Sequence, residues 1–155
     1  MPGTEANTLL RILPFPGGGS SARVRPLISV DAKPHFDGLA KGLLLLQRCD
    51  RCRHFRLPPG PICTRCGCAG ADWLPASGKG RIHSWVRYQR SFLTEFETLI
   101  PYVVLAVHLD EGPVVFGRLV QTDVAPAIGS PVRAVIEKWL DDFCALAFMV
   151  SEESA

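Results

Sequence analysis

Five of the six cysteines, Cys49, Cys52, Cys63, Cys66 and Cys68, fall within 20 residues, and Cys144 stands apart. They include two C-x2-C pairs, CDRC at 49–52 and CTRC at 63–66. Such a pair bends into a tight turn that points two sulfurs at one place, and two turns supply the four thiolates that tetrahedral Zn2+ accepts. Cys68 in CGC is an alternative to Cys66, and His54 follows Cys52 by two residues. The regular spacing of both pairs favours Cys49, Cys52, Cys63 and Cys66 as the ligands. Four sulfurs close the shell and leave no metal-bound water to activate. One structural Zn2+ per chain is therefore expected, with a contribution to folding rather than to chemistry. Iron is the competing ion for a sulfur cage and would make the site a redox centre. Clustered pairs favour metal over disulfides in a reducing compartment. The first residues lack the apolar core and small-residue cleavage site of a secretory signal, so a cytoplasmic location is the expectation.

The remaining reactive residue types form no recognisable catalytic set. No G-x-S-x-G, H-E-x-x-H or phosphate-binding glycine loop occurs, and GGGS at 17–20 reads as a flexible segment. His35, His54, His83 and His108 are scattered without a paired acid or nucleophile, and Cys144 lies in the apolar run FCALAFMV as a small buried hydrophobe. The acid pairs Asp110–Glu111 and Asp141–Asp142 fall at expected turns. No catalytic residue is expected on this chain.

Charge is unevenly placed. Residues 41–66 hold Lys41, Arg48, Arg51, Arg53, Arg56 and Arg65 against Asp50, formally +5 in a chain of net +2. Arginines contact phosphates and barrel strands stack bases, so a single-stranded nucleic-acid-binding module is the alternative function. Four thiolates around Zn2+ carry a net charge of about −2, which balances much of that positive charge and weakens the alternative. Direct CoA binding through Arg48, Arg51, Arg53 or Arg56 is a third use, since guanidinium groups suit phosphates. Trp85, Tyr88, Phe92 and Phe96 form either a stacking platform or interface, or the packing of barrel core and loop.

The elements that must position these residues are short. With 155 residues, 47% of them hydrophobic, the chain has room for one ordinary domain or two small ones. Its apolar runs, such as Leu43–Leu46, are far below the roughly 18–20 residues of a membrane-spanning helix. Residues 1–30, rich in Pro, Gly and Ser, read as a flexible leader. Phe36, Leu39, Leu43 and Leu46 recur at helical spacing from Pro34, with Gly42 blurring the end and a strand at 43–48 as the alternative. Helix and zinc ribbon occupy 31–75, the metal module itself about 41–74. It is too small to bury a sufficient core, so metal substitutes for one. From 76 to 151 the texture is β-rich, with strands expected at 81–90, 102–109, 114–120, 132–139 and 143–150. Turns are marked by DEGP, IGSP and LDD, and SFLTEFETLIP is a longer aromatic connection. Five short strands fit a closed barrel of the oligonucleotide/oligosaccharide-binding (OB) type, which removes exposed edges. The fold class is thus mostly β: a helix, a ribbon and a five-stranded barrel.

The order of helix, LLLLQRCDRC, Pro-rich spacer, CTRCG, SGKGRIHSW, IPYVVLAVHLDEG, GRLV and IGSPV resembles the DUF35 family over about residues 34–150. The Gly-rich leader and Cys68 depart from that pattern. The resemblance implies a rubredoxin-like zinc ribbon on an OB barrel. It also implies an accessory role in a hetero-oligomer whose thiolase-fold catalytic subunit supplies the catalytic residues, with acyl-CoA at the shared interface. Phe92, Leu93, Phe96, Leu99 and Ile100 are then candidates for a partner-facing patch.

Overall fold

A computed structural model of the chain describes residues 9–17 and 26–151. In order, the elements are β1 (Ile12–Pro14), α1 (Lys33–Ala40), β2 (Leu45–Cys49), β3 (Phe55–Arg56), β4 (Ala71–Pro75), β5 (Lys79–Tyr88), β6 (Tyr102–Leu109), β7 (Val114–Leu119), β8 (Pro131–Leu140) and β9 (Phe143–Val150). Short 3-10 turns cover Val30–Ala32 and Thr94–Leu99. Among the described residues no helix is long and apolar enough to cross a membrane.

The start and stop of α1 are written locally. The Ser29 hydroxyl accepts from the Ala32 N–H at 3.2 Å in the turn that leads into the helix, and a proline occupies its first turn. Gly42 adopts φ +81°. The Leu43 N–H then donates to the Gly38 carbonyl at 2.9 Å and the Gly42 N–H to Leu39 at 3.0 Å, a Schellman ending. Helical spacing therefore runs only through Phe36 and Leu39. Leu46, which continues the same spacing, belongs to β2, so the strand alternative for this segment is the one realised.

β2 is the centre of a small antiparallel sheet, paired with β3 (Gln47 opposite Arg56) and β4 (Cys49 opposite Ala71, Leu45 opposite Pro75). The second sheet closes on itself. β5 pairs antiparallel with β6 and β6 with β7, while β7 runs parallel to β9, with Arg118 opposite Ala147. β9 pairs antiparallel with β8, and β8 returns to β5 through Pro131–Arg133 and Lys79–Arg81. Five strands in this order make the OB barrel.

Beyond Arg133 the edge of β8 is taken by β1, which runs parallel to it with Ile12 opposite Ile136. The expectation of a flexible leader over 1–30 thus needs correction at 9–17, where Ile12–Pro14 of the LLRILP patch forms a strand and Leu10 enters the core. Its apolar residues find an unfilled ladder on β8, which a scan of local composition does not reveal. The rest of that expected leader at 1–8 and 18–25 lies outside the described residues.

Leu39 of α1, Leu44 and Leu46 join one apolar cluster with Ile82, Leu105, Val107, Leu119, Val132, Ile136 and Phe148 of the barrel. The helix and ribbon therefore rest on the barrel's core as well as on their cysteines, and α1 packs across β9 and β2.

Candidate metal centre

Each C-x2-C pair sits in the same backbone device. In the first, the Arg53 N–H donates to the Cys49 carbonyl and the Cys49 N–H to the His54 carbonyl, both at 3.0 Å. In the second, the Gly67 N–H donates to the Cys63 carbonyl and the Cys63 N–H to the Cys68 carbonyl, both at 2.8 Å. Both turns need a left-handed residue just after the second cysteine: Arg53 has φ 61° and Gly67 φ 73°. His54 and Cys68, the two alternative ligands by sequence, hold equivalent places and serve through their carbonyl oxygens. The Cys68 thiol points to the Gly70 carbonyl, at 3.9 Å.

The two turns face one another. Cys49 and Cys66 sulfurs lie 3.5 Å apart, Cys52 and Cys63 sulfurs 3.6 Å apart, and all four lie within 4.8 Å of one another. A tetrahedron with metal–sulfur bonds of about 2.3 Å has sulfur–sulfur edges of about 3.8 Å, so the set fits a tetrahedral thiophilic ion. Four free thiols this close share protons unequally. Cys49 is pulled down to about 6, first by the backbone N–H of Cys52, with burial opposing and Arg51 N–H assisting. The backbone N–H of Arg65 leads a similar lowering of Cys63 against burial. At Cys66 the Cys68 N–H pulls down, but burial and the three neighbouring thiols push the group up to about 12. A bound divalent cation would let all four sulfurs carry charge together.

The basic residues of the ribbon sit in different surroundings. Arg56 is buried, its Nε donating to Gln47 Oε1 at 2.7 Å and Nη2 to the Gly60 carbonyl at 3.1 Å. The Gly60 N–H donates to the same Gln47 oxygen at 2.9 Å, so Arg56 ties the Pro-rich spacer to β2. Arg48 lies 3.8 Å from Asp72. Lys41, Arg51, Arg53 and Arg65 face solvent. Of the four arginines considered for phosphate, one is thus turned inward and one is drawn to a carboxylate.

His35 is buried on α1 with Nδ1 3.0 Å from the Leu45 carbonyl, and burial lowers its pKa. His83 and His108 are exposed on the barrel, and His54 is half-buried. None of the four hydrogen-bonds to a carboxylate or hydroxyl among the described residues. Cys144 lies in the apolar cluster, its thiol pushed up by burial.

The aromatic residues divide. Phe96 packs against Phe15, Trp139 and Tyr102 at ring separations of 5.4, 5.2 and 5.3 Å, so it belongs to loop packing. Leu99 and Ile100 are half-buried, whereas Trp85, Tyr88, Phe92 and Leu93 are exposed.

One buried feature had no local signal. Arg118 on β7 donates through Nε (3.3 Å) and Nη2 to the two Glu137 carboxylate oxygens on β8, and through Nη1 to the Leu119 carbonyl (3.3 Å). The pair reaches across β9, where Ala147 stands opposite Arg118 and Ala145 opposite Glu137. Two small side chains leave the room that the bridge occupies.

Known proteins resemble this chain. The C-terminal OB-fold domain of ChsH2 matches residues 73–137. A probable enoyl-CoA hydratase alpha subunit of Thermomonospora curvata is 36% identical over 122 residues, covering 77% of this chain and 36% of that protein. A DUF35 domain-containing scaffold protein of Methanothermobacter thermautotrophicus is 37% identical over 93 residues, covering 59% of this chain and 69% of that one. In the solved structure of an Ltp2-ChsH2(DUF35) aldolase, one chain superposes with a TM-score of 0.73 at 32% identity, covering 81% of this chain and 98% of that chain. Against the hydratase subunit, the chain described here spans only about a third of the length.

Proposed function

The chain belongs to the DUF35 family, and from that premise we propose that it is a non-catalytic, zinc-bearing subunit of an enzyme complex acting on acyl-CoA thioesters, with a thiolase-fold catalytic partner. The observation that carries this reading is the superposition on nearly the whole of one chain of the Ltp2-ChsH2(DUF35) aldolase. Relatives that are a scaffold protein and a hydratase alpha subunit support the same role.

In this reading Cys49, Cys52, Cys63 and Cys66 hold the Zn2+, which supplies a cross-link between the end of β2 and the turn before β4. Residues 31–75 act as the ribbon unit and 76–151 as the barrel unit. The chain works in the reducing cytoplasm, where its thiols stay available to metal. Chemistry, including the nucleophile and the general base, belongs to the partner, and acyl-CoA lies at the shared interface.

Purification from the native source under reducing conditions tests the proposal. The expected result is co-elution with a thiolase-fold subunit, identified by mass spectrometry, and acyl-CoA turnover by the complex. A chain that elutes alone, with no such subunit at low or moderate salt, would overturn it.

A further inference from the structure

We propose that the outer edge of β5, from Ser84 to Tyr88, is a docking strand onto which the catalytic subunit adds an extended, acidic and apolar segment. This rests on the accessory-subunit reading and deepens it by naming the surface and the chemistry of its occupant.

The barrel does not use the whole of β5. Its closing partner β8 pairs only with Lys79–Arg81. The next contacts on that side come from the loop before β8: the Ile82 N–H donates to the Ser130 carbonyl at 3.0 Å and the Gly129 N–H to the Ile82 carbonyl at 2.7 Å. A bulge between Ile82 and Ser84 then re-aims the strand. From Ser84 to Tyr88 the only ladder among the described residues is with Ala106–Tyr102 of β6. β8 meanwhile pairs with β1 from Ile136 to Lys138, so it does not return to β5. A strand half that is laddered on one side and open on the other is a template for strand addition.

The side chains along this edge suit a peptide. Trp85 stands opposite Leu105 and Arg87 opposite Val103 on one face, while Val86 stands opposite Val104 and Tyr88 opposite Tyr102 on the other. Trp85 and Val86 are 41% and 48% exposed, so apolar surface is offered on both faces of the edge. An added strand, alternating its side chains, would meet both.

Charge selects the occupant. From Lys79 to Thr94 there are four cations, Lys79, Arg81, Arg87 and Arg90, and no Asp or Glu. The next acid, Glu95, is buried. Neither Arg87 nor Arg90 has an ion-pair partner among the described residues; Arg90 lies over the Phe92 ring at 5.8 Å. A second copy of this edge would set like charges together, whereas an acidic segment would neutralise them. A basic, aromatic surface also suits single-stranded nucleic acid, but the open backbone groups are met by a peptide strand and not by a phosphate chain. The Tyr88 ring is moreover already stacked on Tyr102, with centroids 4.9 Å apart and planes at 10°.

The experiment uses the full zinc-loaded chain and the thiolase-fold subunit identified by co-purification. Hydrogen exchange is measured at the amides of Ser84–Tyr88 with and without that subunit. Dissociation constants are measured for Trp85→Ala, for the double variant Arg87→Glu/Arg90→Glu, and for Lys41→Glu on the ribbon as a charge control. Expected results are slowed exchange at Ser84–Tyr88 on binding, a Kd raised about tenfold or more by both β5 variants, and a control within about twofold. Wild-type affinity should also weaken with salt, and that dependence should flatten in the double variant. Binding with unchanged Kd in both β5 variants, or unchanged exchange, overturns the docking strand and leaves the subunit reading standing. Failure of any thiolase-fold subunit to bind overturns both. Protection of these amides by self-association of the isolated chain, or by oligo-dT in preference to the subunit, overturns the assignment of the occupant.

Discussion

Removing one partner of the Arg118–Glu137 bridge should be far more damaging than removing both. Glu137 is 1% exposed and Arg118 8%, and the carboxylate receives both its charge-assisted bonds from that one guanidinium. Arg118→Met keeps much of the aliphatic stem but leaves a carboxylate under β8 with neither water nor counter-charge. Breaking a buried pair in this way costs about 3–5 kcal/mol. Against a total stability of roughly 5–15 kcal/mol for an ordinary domain, that is about a fifth of the whole or more. With a urea slope of about 2 kcal/mol/M, the unfolding midpoint should fall by about 2 M. The double variant Arg118→Met/Glu137→Leu removes the stranded charge and places apolar groups over Ala145 and Ala147. It should lie within about 1 kcal/mol of wild type, because desolvation of both ions is relieved together. The assay is urea unfolding of the four proteins at neutral pH with saturating zinc, followed by far-ultraviolet circular dichroism. The decisive quantity is the coupling energy, expected at about 3 kcal/mol or more in favour of the double variant. If the two single losses simply add, or if Arg118→Met costs less than about 1 kcal/mol, the bridge does not shield a buried charge and the reasoning fails.

Three further outcomes follow from the ribbon and α1. Cys63→Ser should lower zinc content from about one ion per chain and expose the segment 50–70 to proteolysis; equal metal content and equal resistance by mass spectrometry would contradict the four-sulfur assignment. Gly67→Ala should cost about 1–2 kcal/mol in thermal or urea unfolding, because φ is 73° and a Cβ there meets nothing within 4 Å, so the loss is purely one of backbone conformation. The corresponding Arg53→Gly should cost much less or stabilise, and the opposite ordering would refute the equivalence of the two turns. Burial holds the His35 pKa below its ordinary 6.5, with the Leu45 carbonyl opposing. The unfolded chain therefore takes up a proton as pH falls through 6.5 while the folded chain does not, and stability is full above that pH and lost below it. His35→Gln should flatten the difference between urea midpoints at about pH 7.5 and 5.5. The cysteine cluster titrates in both proteins, so equal pH dependence in the two would exclude His35 as the source.

What could be read in advance was the local part. The two C-x2-C turns carry their own geometry, and the barrel strands carry alternation and turn residues. The five expected segments therefore lie within a few residues of Lys79–Tyr88, Tyr102–Leu109, Val114–Leu119, Pro131–Leu140 and Phe143–Val150. Leu43 and Leu46 kept helical spacing past the point where Gly42 turns the chain, since spacing registers side chains and not the sign of φ. β1 was hidden because its reason for being a strand is the vacant edge at Ile136–Lys138, more than a hundred residues away. Phe96 looked available for a partner for the same reason: one of its neighbours, Phe15, lies in the stretch that reads as leader. The Arg118–Glu137 bridge depends on two alanines of a third strand, a condition no window around either residue contains.

The parts that were legible and the parts that were not meet in one mechanical consequence. β2 ends at Cys49, and Leu46 on the same strand is wholly buried in the cluster that it shares with barrel strands β5–β9. A metal that fixes the cysteine turns therefore fixes β2, and through Leu44 and Leu46 it presses the ribbon onto the barrel. β1 fills the β8 edge, and among the described residues the second half of β5 takes no part in closing the barrel. A strand edge framed by elements packed into one core loses little further conformational freedom when another chain binds. Rigidity placed around an unfilled ladder, rather than around a nucleophile, is what a chain needs when it contributes to an enzyme by holding a second subunit.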